Sequence, residues 1–273
     1  MPEGPEVARQ ADLIRAVTAD QVAEVWFGLP RLKRFGKRLS GQRVAHVRAR
    51  GKAFLLEFSG GLTIYAHLQL AGVWHVDPSG TPPETTRSLR VRIDTARGSA
   101  FLYSASTVEV LTPAGLADHS YLGKLGPDVL DPDLSEAALR ERIASARFQR
   151  SSLGGLYLRQ EFLAGLGNYL RTEILHQAKL HPNRLARTLD ASERRRLAKA
   201  TLALPLQSYR TGGITNQPRR AERLRKAGLP PRAARWLAFE REGEECYRCG
   251  ARIWRETHNG RRLYLCRTCQ PAP

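Results

Sequence analysis

Four cysteines carry the most specific chemical signal in the chain. Cys246, Cys249, Cys266 and Cys269 all fall within the last 28 of 273 residues, in the pattern Cys-x2-Cys-x16-Cys-x2-Cys. Two close pairs, each on a tight turn, can bring four thiolates to the corners of a tetrahedron about 2.3 Å from a zinc ion. Four sulfur ligands leave no open position, so such an ion holds structure and does no chemistry itself. The alternatives are two disulfides or a redox-active pair. A cytoplasmic chain disfavours disulfides, and a redox pair needs no twin. Between the pairs, "RIWRETHNGRRLYL" predicts a β-hairpin turning at Asn259-Gly260, with Arg261 and Arg262 near its tip. A rigid hairpin presenting arginines is suited to a nucleic-acid groove.

The other end of the chain opens "MPEGPEV", two prolines and two glutamates where chain ends are ordinarily loose. Pro5 suits a first helical turn and Glu6 complements the positive end of a helix dipole. Val7, Ala11, Ile14 and Val17 then form one apolar stripe, which predicts a helix over residues 5–18. The terminal residues are therefore joined directly to a helix start.

The charge balance narrows the partners. Lysine and arginine number 44 against 26 aspartates and glutamates, a net charge of +18, and the stretch from Pro182 onward carries 21 basic and 8 acidic residues. An excess of this size on a chain that is 42% hydrophobic points to a folded protein with a polyanionic partner, nucleic acid. No apolar run is long enough to span a membrane, and no basic region followed by an apolar stretch marks a signal peptide. A cytoplasmic protein is expected.

These residues must be positioned by the elements between them. From residue 22 to 111, "VAEVWF", "RVAHVRA", "AFLLEF", "LTIYAHL", "GVWHV", "LRVRI", "AFLY" and "TVEVL" alternate with glycine, proline and serine, which predicts an antiparallel β-sandwich. Helical patterns dominate afterwards. Ser135 can cap a helix to about Ala144, and Asp190 with Glu193 forms a capping box before "RRRLAKATLAL". "GGLYLRQEFLAG" and "NYLRTEILHQAKL" read as two helices joined by "GLG". Residues 211–235 read as a long basic loop. The expected fold class is α+β. Residues 1–124 form an N-terminal helix and sandwich, 125–134 a proline-bearing linker, 135–235 a helical domain and 236–273 a zinc finger.

Taken together, "MPEGPEV", "RGKAFLL", "HLQLAGVW", "LYSAS", "LGPDVLDP", "FLAGLGNYLR" and the four-cysteine finger span nearly the whole chain. In that order they resemble the formamidopyrimidine-DNA glycosylase and endonuclease VIII family of bifunctional DNA repair enzymes, and endonuclease VIII in particular. The resemblance implies a helix–two-turn–helix in the helical domain and damaged double-stranded DNA bound between the halves by a monomer. It implies excision of oxidised pyrimidines by base flipping, followed by β,δ-elimination at the abasic site.

The resemblance also implies roles. With Met1 removed, Pro2 becomes a secondary amine titrating near an α-amino group, at roughly 7.7–8.0, and attacks C1′ of the damaged nucleotide. Glu3 is the proton donor that helps open the deoxyribose ring. Lys52, in "RGK", assists β-elimination and grips the phosphate beside the lesion, and Arg261 serves δ-elimination and phosphate binding. Gln69 and Leu70 fill the gap left by the extruded base. Asn168, after "GLG", and Lys124 contact the DNA backbone. Ala71 stands where a tyrosine is common in endonuclease VIII, and Lys124 where an arginine is common. Two other readings stay open: oxidised-purine excision by the same machinery, and a zinc-dependent DNA-binding protein without catalysis.

Overall fold

A computed structural model describes residues 2–273, which fall into two compact units, one ending at Lys124 and the other running from Leu125 to Pro273. The expected removal of Met1 lies outside the described residues.

The first unit opens with helix α1 (Gly4–Thr18), whose Val7, Ala11, Ile14 and Val17 are buried as one stripe. Eight strands follow: β1 (Val22–Phe27), β2 (Gln42–Arg50), β3 (Ala53–Phe58), β4 (Thr63–His67), β5 (Val73–Asp77), β6 (Leu89–Thr95), β7 (Gly98–Tyr103) and β8 (Thr107–Leu111). A short helix α2 (Lys33–Leu39) interrupts them and α3 (Pro113–Ala117) closes them. Each expected strand run forms a strand. All pair antiparallel in the order β5-β7-β6-β1-β2-β3-β4-β8. β1 and β2 share only the pairs Val22↔Arg43 and Ala23↔Gln42. The sheet therefore bends there into two halves that cover one core. Phe27, Val91 and Ile93 of one half join Phe54, Leu56 and Ile64 of the other, with Val7, Ala11 and Ile14 of α1. The Phe54 and Trp74 rings, one from each half, lie 5.9 Å apart.

In the second unit, Ser135 caps α4 (Glu136–Ala144) by accepting the Ala138 N–H at 3.1 Å. α5 (Leu153–Leu156) and α6 (Asn168–Ala178) precede α7 (Ala191–Thr211), which starts at the expected capping box. The run "GGLYLRQEFLAG" does not form a helix beyond α5. The paired glycines weaken helix propagation there. Side chains then take the backbone groups a helix would have used: Gln160 donates to the Leu166 carbonyl and accepts from Gly165 N–H, and Arg142 donates to the Glu161 and Phe162 carbonyls.

The basic stretch 211–235 also differs from expectation, since it contains two helices, α8 (Pro218–Lys226) and α9 (Pro231–Arg235). Each begins at a proline, and their few small residues, Ala221, Ala233 and Ala234, are the ones buried. A hydropathy pattern dominated by arginine hides so thin an apolar face. Strands β9 (Ile253–His258) and β10 (Arg261–Cys266) form the expected hairpin, with Asn259 at φ 51° and Gly260 at φ 70°, the left-handed pair that a two-residue turn requires. Leu263 and Leu265 of β10 enter the same core as Leu170, Ile174 and Leu197 of the helices.

Candidate active site and cysteine cluster

Glu3 and Glu6 cap each other's backbone at the start of α1. Glu6 Oε2 accepts the Glu3 N–H at 3.0 Å, and the Glu3 carboxylate accepts from the Glu6 backbone. Glu3 is 3% exposed, a buried carboxylate rather than a solvated one. Pro2, half-buried, is bonded directly to this doubly tethered residue. Pro2 thus directly precedes a residue held by a helix cap.

Lys52 is also buried. It sits in the two-residue turn between β2 and β3, where Gly51 takes φ 60° and Arg50 pairs with Ala53. The Lys52 N–H donates to the Tyr121 hydroxyl at 3.3 Å. His67, at the end of β4, faces Ala53 across the ladder and meets the Tyr121 ring edge-on at 5.4 Å. Burial, and then the Lys52 charge, hold the His67 imidazole below its usual range.

The turn after His67 carries Gln69 and Leu70. Gln69 adopts φ 53° and donates its N–H to His67 Nδ1 at 3.2 Å. Leu70, 86% exposed, projects from a turn closed by Gly72 N–H to the Leu68 carbonyl at 2.8 Å. A Cβ on Gly72 would approach the Leu68 backbone to 2.7 Å, so the turn needs glycine there. Arg87 donates to the Ala71 carbonyl at 2.8 Å. Lys124, exposed, lies at the end of the first unit.

In the second unit Asn168 and the hairpin come together. Asn168 is the first residue of α6, after Gly167 at the cap position, and its Nδ2 donates to the Arg262 carbonyl at 2.8 Å. Arg171, fully buried, donates to Asn168 Oδ1 at 2.5 Å and to the Gly154 carbonyl at 3.0 Å. At the hairpin's other shoulder, His258 Nε2 lies 2.5 Å from Asn183 Oδ1. The exposed Arg261 and Arg262 are therefore presented by a hairpin braced against α6. Arg171, Tyr121 and His67 contact the candidate residues and were not singled out from the sequence.

The four cysteine sulfurs lie within 4.8 Å of one another. Cys246 and Cys269 are 4.0 Å apart and Cys249 and Cys266 3.4 Å, none of them in a disulfide. A tetrahedron with ligands at about 2.3 Å has edges of about 3.8 Å, so the set fits one zinc ion. The Ala251 N–H lowers the Cys249 thiol from its ordinary value, whereas burial and the neighbouring sulfurs raise Cys266 and Cys269. Thiolates that raise one another are satisfied by a central cation. His176 Nε2 lies 3.4 Å from Cys246 Sγ, and burial beside Arg248 and Arg241 holds this imidazole down at about 3.

Comparison with known proteins agrees with this architecture. The model of the formamidopyrimidine-DNA glycosylase N-terminal domain matches residues 1–105, and that of the formamidopyrimidine-DNA glycosylase H2TH domain matches residues 125–218. The chain belongs to the formamidopyrimidine-DNA glycosylase family, and it is a DNA glycosylase and abasic-site lyase of base excision repair. Among its relatives, it is 46% identical over 271 residues to Endonuclease 8 of Escherichia coli (strain K12 / DH10B), covering 99% of this chain and 100% of that one. Its fold is similar to that of Lactococcus lactis Fpg bound to abasic-site DNA (TM-score 0.77) and of the LlFpg protein with THF-DNA and an inhibitor (TM-score 0.78). Both are 22% identical, covering 99% of this chain and 100% of theirs. Among the described residues, no helix is long and apolar enough to cross a membrane.

Proposed function

We propose that the chain excises oxidised pyrimidines from duplex DNA, using Pro2 as nucleophile after loss of Met1. The pyrrolidine nitrogen attacks C1′ as the glycosidic bond breaks, the base leaves with the bonding pair and takes up the proton released from that nitrogen, and O4′ departs from C1′ carrying a proton from Glu3. The product is an iminium between C1′ and the proline nitrogen. Proline leaves no N–H proton to lose, so the iminium stays electrophilic and favours elimination. The Glu3 carboxyl, 3% exposed and adjoining Pro2 in the chain, is the donor of that proton in this reading. Lys52 then assists β-elimination and binds the adjoining phosphate, and Arg261 serves the δ step. Leu70, backed by Gln69, enters the stack in place of the extruded base, while Asn168 and Lys124 hold the backbone. Zinc bound by the four cysteines supplies rigidity to the hairpin and takes no part in the steps. The protein acts as a monomer in the cytoplasm.

The observation that carries this reading is the reciprocal Glu3–Glu6 cap, which fixes a buried carboxylate next to Pro2 in the chain. The 46% identity to Endonuclease 8 supports the pyrimidine preference. Borohydride trapping on a duplex with one oxidised pyrimidine tests it. The expected result is a covalent adduct mapped to residue 2, formed faster than on an 8-oxoguanine duplex. A faster adduct on 8-oxoguanine would transfer the chain to purine lesions. Tight binding without any adduct, even on an abasic site, would remove the catalytic assignment.

A further inference from the structure

We propose that Tyr121 is a positioning residue for Lys52, and that through His67 it braces the lysine turn and the Gln69–Leu70 turn as one assembly. The inference rests on the reading of Lys52 as a residue of the elimination step.

The brace is a continuous chain of contacts. The Lys52 N–H donates to Tyr121 Oη at 3.3 Å. The Tyr121 ring stands edge-on to His67, with centroids 5.4 Å apart and planes at 87°. His67 Nδ1 accepts the Gln69 N–H, which holds that residue at φ 53°. A backbone held in the left-handed region costs energy for any residue but glycine, so it needs such a partner. Because Nδ1 accepts, the imidazole proton sits on Nε2.

Tyr121 is itself held from outside the β2–β3 hairpin. His119 Nδ1 accepts the Tyr121 and Leu122 N–H groups at 3.2 and 3.3 Å. The His119 ring packs 4.3 Å from Tyr65 on β4, and its Nε2 lies 3.7 Å from Glu109 on β8. The turn carrying Lys52 thus gains an anchor on the segment after α3, independent of its own two strands. A two-residue turn tied only to its strands can rock, and a hydroxyl on its backbone N–H stops that motion. Displacement of a reacting group by a fraction of an ångström is costly to the rate.

The competing account is that Tyr121 only fills the small apolar cluster formed with Ala53, Leu55, Tyr65, Leu111, Leu116 and Leu122. Tyr121→Phe separates the two, since it keeps the ring and removes the hydroxyl. On a preformed abasic-site duplex, single-turnover elimination by Tyr121→Phe is expected to slow about three- to tenfold, the worth of one neutral hydrogen bond. Affinity for that duplex and the melting temperature should stay near those of the parent. In the Lys52→Ala background the same substitution should add nothing further, because both act on one group. Full elimination by Tyr121→Phe, or an equal slowing with and without Lys52, would overturn the positioning role. Unchanged elimination by Lys52→Ala alone would instead remove the reading of Lys52 on which the inference stands.

Discussion

The two units hold their candidate functional residues by different means. In the first, backbone geometry does most of the positioning. A reciprocal helix cap fixes Glu3, a glycine-containing hairpin turn fixes Lys52, and a closed left-handed turn presents Leu70, all around one apolar core. In the second, buried polar side chains do it. Arg171 ties α6 to the hairpin, and Arg241 donates to the Leu237 and Glu245 carbonyls. The Glu173 carboxylate accepts the Thr215 hydroxyl and the N–H groups of Leu237, Ala238 and Phe239 at 2.5–2.9 Å. Backbone-built sites survive the loss of single side chains far from them. Sites built on buried polar groups do not, because each lost partner strands a desolvated donor or acceptor.

The largest effect should follow from breaking the cysteine cluster. Cys266→Ser removes one ligand from a set that contributes folding energy directly. Segment-resolved hydrogen exchange should show protection lost over β9, β10 and the start of α6, with the first unit's strands unchanged. Equal loss in both units would erase the distinction drawn here. Next comes Glu173→Gln, which keeps the shape but replaces one acceptor oxygen by a donor facing backbone N–H groups. The cost is expected at about 3 kcal/mol, with the lost protection confined to residues 213–240 and α6, as measured by denaturant unfolding and exchange.

This division also explains what could be read in advance. Capping boxes, alternating strands, an Asn-Gly turn and paired cysteines are local patterns, and they announced α1, α4, α7, the eight strands, the hairpin and the cluster. Tyr121, His67 and Arg171 act through contacts between residues distant in sequence, and no local period marks such a contact. The helices at 218–226 and 231–235 were hidden for a related reason, since three alanines are their only buried apolar residues. The burial of Glu3 has no local mark either, because it is decided by the sandwich beneath α1.

Acid should separate the units more gently. His67 in the first unit, and His176, His181 and His258 in the second, all have imidazoles lowered from their ordinary value, chiefly by burial. Each binds its proton more readily when unfolded. Their contribution to stability is therefore complete above about 6.5, the ordinary histidine value, and is lost as pH falls below it toward the folded values. Between pH 6.5 and 5, before most carboxylates titrate, protection should fall in both units and more steeply in the second, which holds three of the four groups. His67 Nδ1 and His181 Nδ1 each accept a backbone N–H, from Gln69 and Asn183, so protonation also breaks a turn.

The smallest effect on folding should coincide with a large one on repair. Leu70 is 86% exposed on a turn whose conformation is set by His67, Gly72 and Arg87, none of which touches its side chain through the bonds described. Leu70→Ala should therefore change unfolding free energy by less than about 0.5 kcal/mol. On the proposed reading, the same change removes an apolar wedge that offsets the few kcal/mol of stacking lost when a base is extruded. Excision from a duplex should slow by tenfold or more, while cleavage of a single-stranded abasic oligonucleotide, where no stack is opened, should proceed at the parent rate. Equal slowing on both substrates would mean that the turn acts on the chemistry itself, and its backbone construction would then serve the same end as the Lys52 turn beside it.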